Sequence, residues 1–211
     1  ASLNPHAQHQ KVRTLEEILG GRAIAGGFTS LQCTPVGEGA AAAVVASEAA
    51  IRALGVSPDK PVRVLASAGR SERLYDDGPS IDAQLTAETT GIALCEAGVG
   101  IEQVDVIELH DAFTIEELEY LEAMGVCDEG QAVAALKAGE FDIGGRCAVS
   151  PSGGLIAMGH PLGPTGVGQI GELTLQLRGA AGPRQHPDAR VGLAHMVGIG
   201  SVCYVHVLAR S

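Results

Sequence analysis

Eight consecutive residues, Gly159-His160-Pro161-Leu162-Gly163-Pro164-Thr165-Gly166, leave the backbone few choices. The two prolines fix φ and remove two backbone donors, while the three glycines allow bends and close approaches that a side chain forbids. The segment reads as a tight turn opening a helix at about Thr165 that runs to Leu177. His160 is held in that turn, where Pro161 fixes the backbone beside the imidazole and Gly163 and Gly166 let main chain approach a ligand. A helix N-terminus also favours negative charge nearby. Two readings stay open: a strand-to-helix turn with an incidental histidine, or a turn built for chemistry.

A second constellation favours chemistry. Val104-Asp105-Val106-Ile107-Glu108-Leu109 reads as a buried strand that delivers His110-Asp111-Ala112-Phe113 into a loop before a helix capped by Thr114, with Glu117 completing the box. A histidine and an acid thus sit at a strand's carboxyl end, where open α/β sheets bind ligands. Asp111 reads as a hydrogen-bonder to loop backbone, because a charged acid beside a developing oxyanion would oppose it. Glu116, Glu117, Glu119 and Glu122 read as a solvated helical face.

The rest of the chain alternates helix and strand, which indicates a layered α/β fold. A short helix is predicted at 14–19, where Thr14 and Glu17 make a capping box and Gly20-Gly21 stop it. A strand follows at 29–35, and then an alanine-rich helix at 40–54, apolar almost all round and so expected to be buried. Ser57-Pro58-Asp59-Lys60-Pro61 reads as a linker and Asp76-Asp77-Gly78-Pro79 as a turn. Beyond the linker come a strand at 62–68, a helix at 81–97 and, after a glycine-rich loop reaching Ala148-Val149, the helix from Thr165. Two closing strands, 191–197 and 201–208, flank Gly198-Ile199-Gly200 as a hairpin and make the sheet mixed. His195 stands just before that turn, so either its imidazole and the amides near Gly200 face the same pocket or it packs as a core histidine.

Charge and cysteine usage narrow the partners. A formal charge of −11 over 211 residues argues against nucleic acid or an anionic membrane, without excluding a local basic site for a phosphorylated ligand. The cysteines, Cys33, Cys95, Cys127, Cys147 and Cys203, form no CxxC pair and no metal-finger spacing, so no metal site is expected and reduced thiols in a reducing compartment are. No apolar run is long enough to span a bilayer, and Ala209-Arg210-Ser211 is not a peroxisomal signal. The expected location is cytoplasmic.

These blocks, taken in order, resemble the thiolases, and among them the sterol-carrier-protein type. The resemblance runs from Asn4-Pro5-His6-Ala7-Gln8 through Leu31-Gln32-Cys33-Thr34-Pro35, Gly39-Ala40-Ala41-Ala42-Ala43 and Ile107-Glu108-Leu109-His110-Asp111-Ala112-Phe113. It continues through Pro151-Ser152-Gly153-Gly154-Leu155, Gly159-His160-Pro161-Leu162-Gly163, Gln176-Leu177-Arg178-Gly179 and His195-Met196-Val197-Gly198-Ile199-Gly200. It implies a mixed five-stranded sheet covered by helices on both faces. It also implies that residues 58–211 are a carboxyl-terminal thiolase domain. Residues 1–57 then hold the end of a loop domain plus the last strand and helix of the first thiolase half.

Roles follow from the same resemblance. His160 matches a general base for a nucleophilic cysteine, with Gly159, Pro161 and Gly163 holding its geometry. His110 matches a donor to the thioester oxygen, while Gly200 and His195 match loop support near the oxyanion. Cys33 and Thr34 match a segment lining the channel for the pantetheine arm of CoA. The acyl-accepting cysteine belongs to the first half, and no cysteine of this chain matches it. The positions of a second, acid–base cysteine are held by Ala112 and Val197. The expectation is therefore an acyl-CoA C-acyltransferase acting on fatty or sterol side-chain CoA thioesters. It has no bound cofactor, takes CoA as a substrate, is oligomeric, and depends on a polypeptide supplying the first half. Retro-aldol cleavage of a steroid side-chain 3-hydroxyacyl-CoA, and a non-catalytic acyl-CoA-binding or assembly subunit, are the alternatives.

Overall fold

The first 57 residues hold little regular structure and few buried side chains. The computed structural model describes residues 1–57, 60–71, 80–198 and 201–211. Helix α1 (Leu15–Leu19) has the capping box read from sequence: Thr14 Oγ1 accepts from Glu17 N at 3.2 Å and Glu17 Oε2 accepts from Thr14 N at 3.0 Å. Strands β1 (Ala23–Ala25) and β2 (Phe28–Thr29) pair antiparallel, and α2 (Glu48–Ala53) is capped by Ser47.

Two expectations fail in this region. The strand foreseen over 29–35 ends at Thr29, where Gln32 N turns back to Thr29 O, and Cys33 keeps one isolated bridge to Phe113. The helix foreseen over 40–54 is confined to Glu48–Ala53 and is not buried: Val36, Val44 and Val45 are 98%, 95% and 86% exposed. Helix stability in proteins comes mostly from packing an apolar face, and among the described residues no sheet lies against this one.

From residue 62 the character changes. Strand β3 (Val62–Ser71) leads to α3 (Ile81–Ala97), which Gly98 ends in the left-handed conformation, then to β4 (Val106–Glu108) and α4 (Thr114–Ala123). The glycine-rich loop foreseen next contains a helix, α5 (Ala132–Lys137), before β5 (Ala148–Val149), and a second short helix, α6 (Gly154–Met158), follows. Helix α7 (Thr165–Leu177) and strands β6 (Val191–Gly198) and β7 (Val202–Arg210) complete the chain. The linker's Pro58-Asp59, the Asp76-Asp77-Gly78-Pro79 turn and Ile199-Gly200 lie outside the described residues.

The large strands form a five-stranded mixed sheet in the order β3–β7–β6–β4–β5, with β3, β7 and β6 antiparallel and β6, β4 and β5 parallel. Alternation along β4 sends Ile107 to one face and Val106 to the other. On the Ile107 side, α3 and α4 bury Leu85, Tyr120 and Leu121 against Leu193, Val205 and Val207. On the Val106 side, α7 buries Leu173 and Leu177 against Ala194 and Leu208. Gly192 allows the close contact, since a Cβ there would meet Leu173 Cδ2 at 3.0 Å. Each fully buried leucine contributes about 1.5–3 kcal/mol, and their rows fix β4 so that its carboxyl end opens into the 109–113 loop. Among the described residues, no helix is long and apolar enough to cross a membrane.

Candidate active site

His160 lies in the turn between α6 and α7, half-buried. Gly159 enters that turn at φ +96°, a conformation that favours glycine, and the end of the Gln8 side chain lies where its Cβ would be. Thr165, the first residue of α7, orients the ring. Its hydroxyl proton goes to Pro161 O at 2.7 Å, so its oxygen receives His160 Nδ1–H at 2.9 Å. That assignment leaves Nε2 with its lone pair free. Burial, and then the neighbouring His110, push His160 below the ordinary histidine range, with Glu116 opposing. The ring is therefore neutral at pH 7 and Nε2 can accept a proton.

His110 comes to the same place from the carboxyl end of β4. The two imidazoles meet edge to face, centroids 5.2 Å apart at 83°. His110 is buried and its Nδ1 has no hydrogen-bond partner; Glu116 Oε2 stands 3.6 Å away. Glu116 owes this position to the cap of α4, which differs by one residue from the sequence expectation. Thr114 is already the first helical residue, its N–H bonded to Gln32 O, and Glu116 Oε2 accepts from Phe113 N at 3.2 Å. One residue on a helix is about 100° of rotation. Glu116 accordingly faces the site, and burial raises the Glu117 carboxyl. The solvated glutamate face read from sequence is corrected to this extent.

Buried acids hold the loops that carry the histidines. Asp111 Oδ1 accepts from Leu155 N at 2.7 Å, tying the His110 loop to α6, and burial followed by Glu117 raises its carboxyl well above the ordinary range. A Cβ on Gly154 would stand 2.0 Å from Asp111 Oδ2, and Gly154 has φ +60°, so only glycine fits. Glu108 accepts from Ser152 N at 3.1 Å and Ser152 Oγ at 2.6 Å, and burial with Glu172 pushes it up to about 8, against the Ser152 hydrogen bonds. Asn4 Nδ2 donates to Ser152 O at 2.9 Å, bringing the amino-terminal segment onto the same loop.

Cys33 and Thr34 form a strap across these loops. Thr34 N donates to Ala112 O at 2.8 Å and Thr34 Oγ1 to Leu155 O at 2.6 Å, while Cys33 Sγ lies 3.4 Å from Thr29 O. A Cβ on Gly39, in the strap's continuation, would meet Pro161 Cγ at 3.2 Å, and Gly163 is exposed on the turn. His195 is in the core: 0% exposed, Nε2 2.9 Å from Thr86 Oγ1, its ring against Tyr120 at 5.0 Å and lowered to about 3 by burial. Gly200 lies outside the described residues. A surface depression lined by Arg70, Glu88, Cys95 and Glu96 holds neither His110 nor His160. Thr165 and Glu116 were not singled out as partners in the sequence; the signal for each is its spacing, five residues after His160 and six after His110.

Comparison with known proteins agrees along the chain. The pattern of the family described as thiolase C-terminal domain-like matches residues 69–210. Sterol carrier protein 2 of Oryctolagus cuniculus is 40% identical over 96% of this chain and 38% of its own length. Benzoylsuccinyl-CoA thiolase subunit BbsB of Thauera aromatica is 38% identical over 95% of this chain and 52% of that protein. The solved structure of an Ltp2-ChsH2(DUF35) aldolase shares the fold, with a TM-score of 0.79 and 22% identity, over 100% of this chain and 55% of that one. The chain thus spans 38% of the sterol carrier protein and about half of the other two.

Proposed function

The chain belongs to the thiolase superfamily, in its sterol-carrier-protein type, and from this we propose that it is the carboxyl-terminal part of an acyl-CoA C-acyltransferase whose nucleophilic cysteine lies outside these residues. The observation carrying the proposal is the meeting of His160 and His110 from separate loops, with the Thr165 hydroxyl leaving His160 Nε2 as the free base.

In this reading His160 Nε2 takes the proton of the incoming cysteine thiol, and the thiolate attacks the ketone carbon of a 3-oxoacyl-CoA. His110 donates toward the oxygen on which negative charge grows. The carbon–carbon bond breaks, the acetyl-CoA carbanion takes the proton held on His160 Nε2 and leaves, and free CoA, giving its thiol proton to the same nitrogen, collects the acyl group while the cysteine sulfur takes that proton back. The pantetheine arm runs along Cys33 and Thr34, and Gly159, Pro161 and Gly163 hold the base. No cysteine of this chain suits the nucleophile's place beside His160: burial pushes Cys203 up to about 11 and Cys147 up to about 12 and raises Cys127, the Cys33 thiol donates to Thr29 O, and Cys95 is on α3. We assign residues 58–211 to the carboxyl-terminal domain. Residues 1–57 then hold the end of the loop domain and, incomplete, the last strand and helix of the first half. We assign the remainder of the first half to polypeptide outside these residues; the chain spans 52% of the Thauera aromatica subunit and 55% of the aldolase chain, so each of these is long enough to hold it. Fatty or sterol side-chain CoA thioesters are the substrates we assign, in an oligomeric assembly.

Retro-aldol cleavage is favoured by one feature: Ala112 and Val197 hold the places of the acid–base cysteine, and Cys203 is fully buried. The test is CoA-dependent cleavage of 3-oxoacyl-CoA by the assembled unit. His160→Ala is expected to lower kcat by about 10²–10⁴-fold while acyl-CoA binding persists. Unchanged turnover overturns the proposal, and cleavage of 3-hydroxyacyl-CoA without CoA replaces it with the lyase reading.

A further inference from the structure

We propose that Glu116 is a positioning residue for His110, its carboxylate closing on Nδ1 so that Nε2 is presented to the acyl oxygen; this rests on the reading of His110 as the oxyanion donor. A buried imidazole with one nitrogen unpartnered is poorly held about its side-chain torsions, and an oxyanion donor must be aimed. The His110 side chain is 9% exposed and Nδ1 lacks a hydrogen-bond partner. Glu116 Oε2, at 3.6 Å, is within ion-pair range but beyond a hydrogen bond. Catalytic hydrogen bonds are often long before substrate arrives and tighten in the complex.

The placement of Glu116 has its own cause. The oxygen near the ring also accepts from Phe113 N, three residues after His110 in the same loop, so the loop's backbone clamps the carboxylate beside its own histidine. The neighbouring charges are otherwise engaged. From α3, Asp82 is raised by burial and then by Glu116 and Glu119, with His110 opposing. Within α4, Glu119 is taken by the Ser80 hydroxyl. From β6, His195 is neutral and bonded to Thr86, and from the turn His160 is bonded to Thr165. Glu116 is therefore the carboxylate available to Nδ1 among the described residues. Once it closes, Nδ1 carries the proton. Donation from Nε2 as well requires a proton on both ring nitrogens, and the Glu116 carboxylate is the group placed to balance that charge.

Two readouts test this. Long-range proton–nitrogen NMR of the histidine rings in this chain, with His110 assigned through His110→Asn, reads the Nδ1 environment directly. Glu116→Ala is expected to move the His110 nitrogen signals and, in the assembled unit, to lower kcat about 100-fold with KM nearly unchanged. Glu116→Gln keeps an acceptor at the same place, and is expected to restore the wild-type Nδ1 signal in part and recover much of kcat. It also serves if Glu116→Ala fails to fold. A His110 ring spectrum that neither substitution changes overturns the proposal, as does a shifted spectrum with kcat untouched. If the wild-type assembly shows no turnover, the proposed reaction falls, and the ring spectrum alone decides the pairing.

Discussion

Residues 36–56 and the helix α7 are both built from small and aliphatic side chains, yet one lies open and the other is half core. Leu173 and Leu177 are buried against Val106, Ala194 and Leu208, whereas Val36, Val44 and Val45 are exposed almost completely. Burial is decided by the surface that meets a segment, and only then by its composition. The sheet gives α7 such a surface, and nothing among the described residues gives one to residues 40–46. On the proposed reading that surface is the remainder of the first thiolase half.

Truncating the two regions should separate them most widely. Leu173→Ala is expected to cost about 3–5 kcal/mol, because it leaves a cavity between α7 and the sheet. Urea unfolding checks this, and a loss under 1 kcal/mol would mean that this face is as loosely held as residues 36–56. Next in size is the contrast between two glycines of similar φ. Gly154→Ala drives a Cβ into Asp111 at a φ of +60° and is expected to cost about 2–3 kcal/mol. Gly55→Ala, at φ +63° with nothing within 4 Å, carries only the conformational penalty of about 1 kcal/mol. Equal losses would show that the Asp111 contact yields freely.

An acid buried in the sheet and one on the exposed amino-terminal segment should respond to pH in opposite directions. Glu108 is held at about 8, above its ordinary 4.5, so between these values the unfolded chain ionises while the folded one keeps its proton, and stability falls as pH rises. Above about 8 both forms are ionised and the loss stops growing. Glu108→Gln is expected to flatten that decline in melting curves taken from pH 5 to 8, and an unchanged slope contradicts the assignment. On α1, by contrast, the Lys11 hydrogen bond and Thr14 N hold Glu17 low, so its contribution is present above the ordinary carboxylate range and lost as pH falls through the lowered value. The smallest expected effect is that of Val44→Ala or Val45→Ala in the isolated chain, within about 0.5 kcal/mol. The same substitutions should weaken assembly with the partner polypeptide, read by analytical ultracentrifugation, and a large loss in the isolated chain would end the comparison.

The contrast also explains what the sequence made legible. Helices α3 and α7 and strands β6 and β7 were readable because their apolar positions already face the sheet that buries them, with Gly98 stopping α3. The His110 and His160 loops were readable because glycines and prolines restrict the backbone wherever they stand. Residues 29–54 were misread because their conformation waits on a surface outside the segment. Helices α5 and α6, six and five residues long, are too short for a period to emerge. Glu116 was missed through a one-residue shift in the cap of α4, set by the bond between Thr114 N and Gln32 O, a contact between segments far apart in sequence.

The central proposal is that these residues hold the base and the oxyanion donor while the nucleophilic cysteine lies outside them. Intact-mass analysis of the native assembly, quenched in acid after brief exposure to a 3-oxoacyl-CoA without free CoA, tests it most directly. The account predicts an added acyl mass on a cysteine outside these residues, abolished by His160→Ala, and none on Cys33, Cys95, Cys127, Cys147 or Cys203. An acyl adduct on one of this chain's own cysteines, or steady turnover by this chain alone, would contradict it.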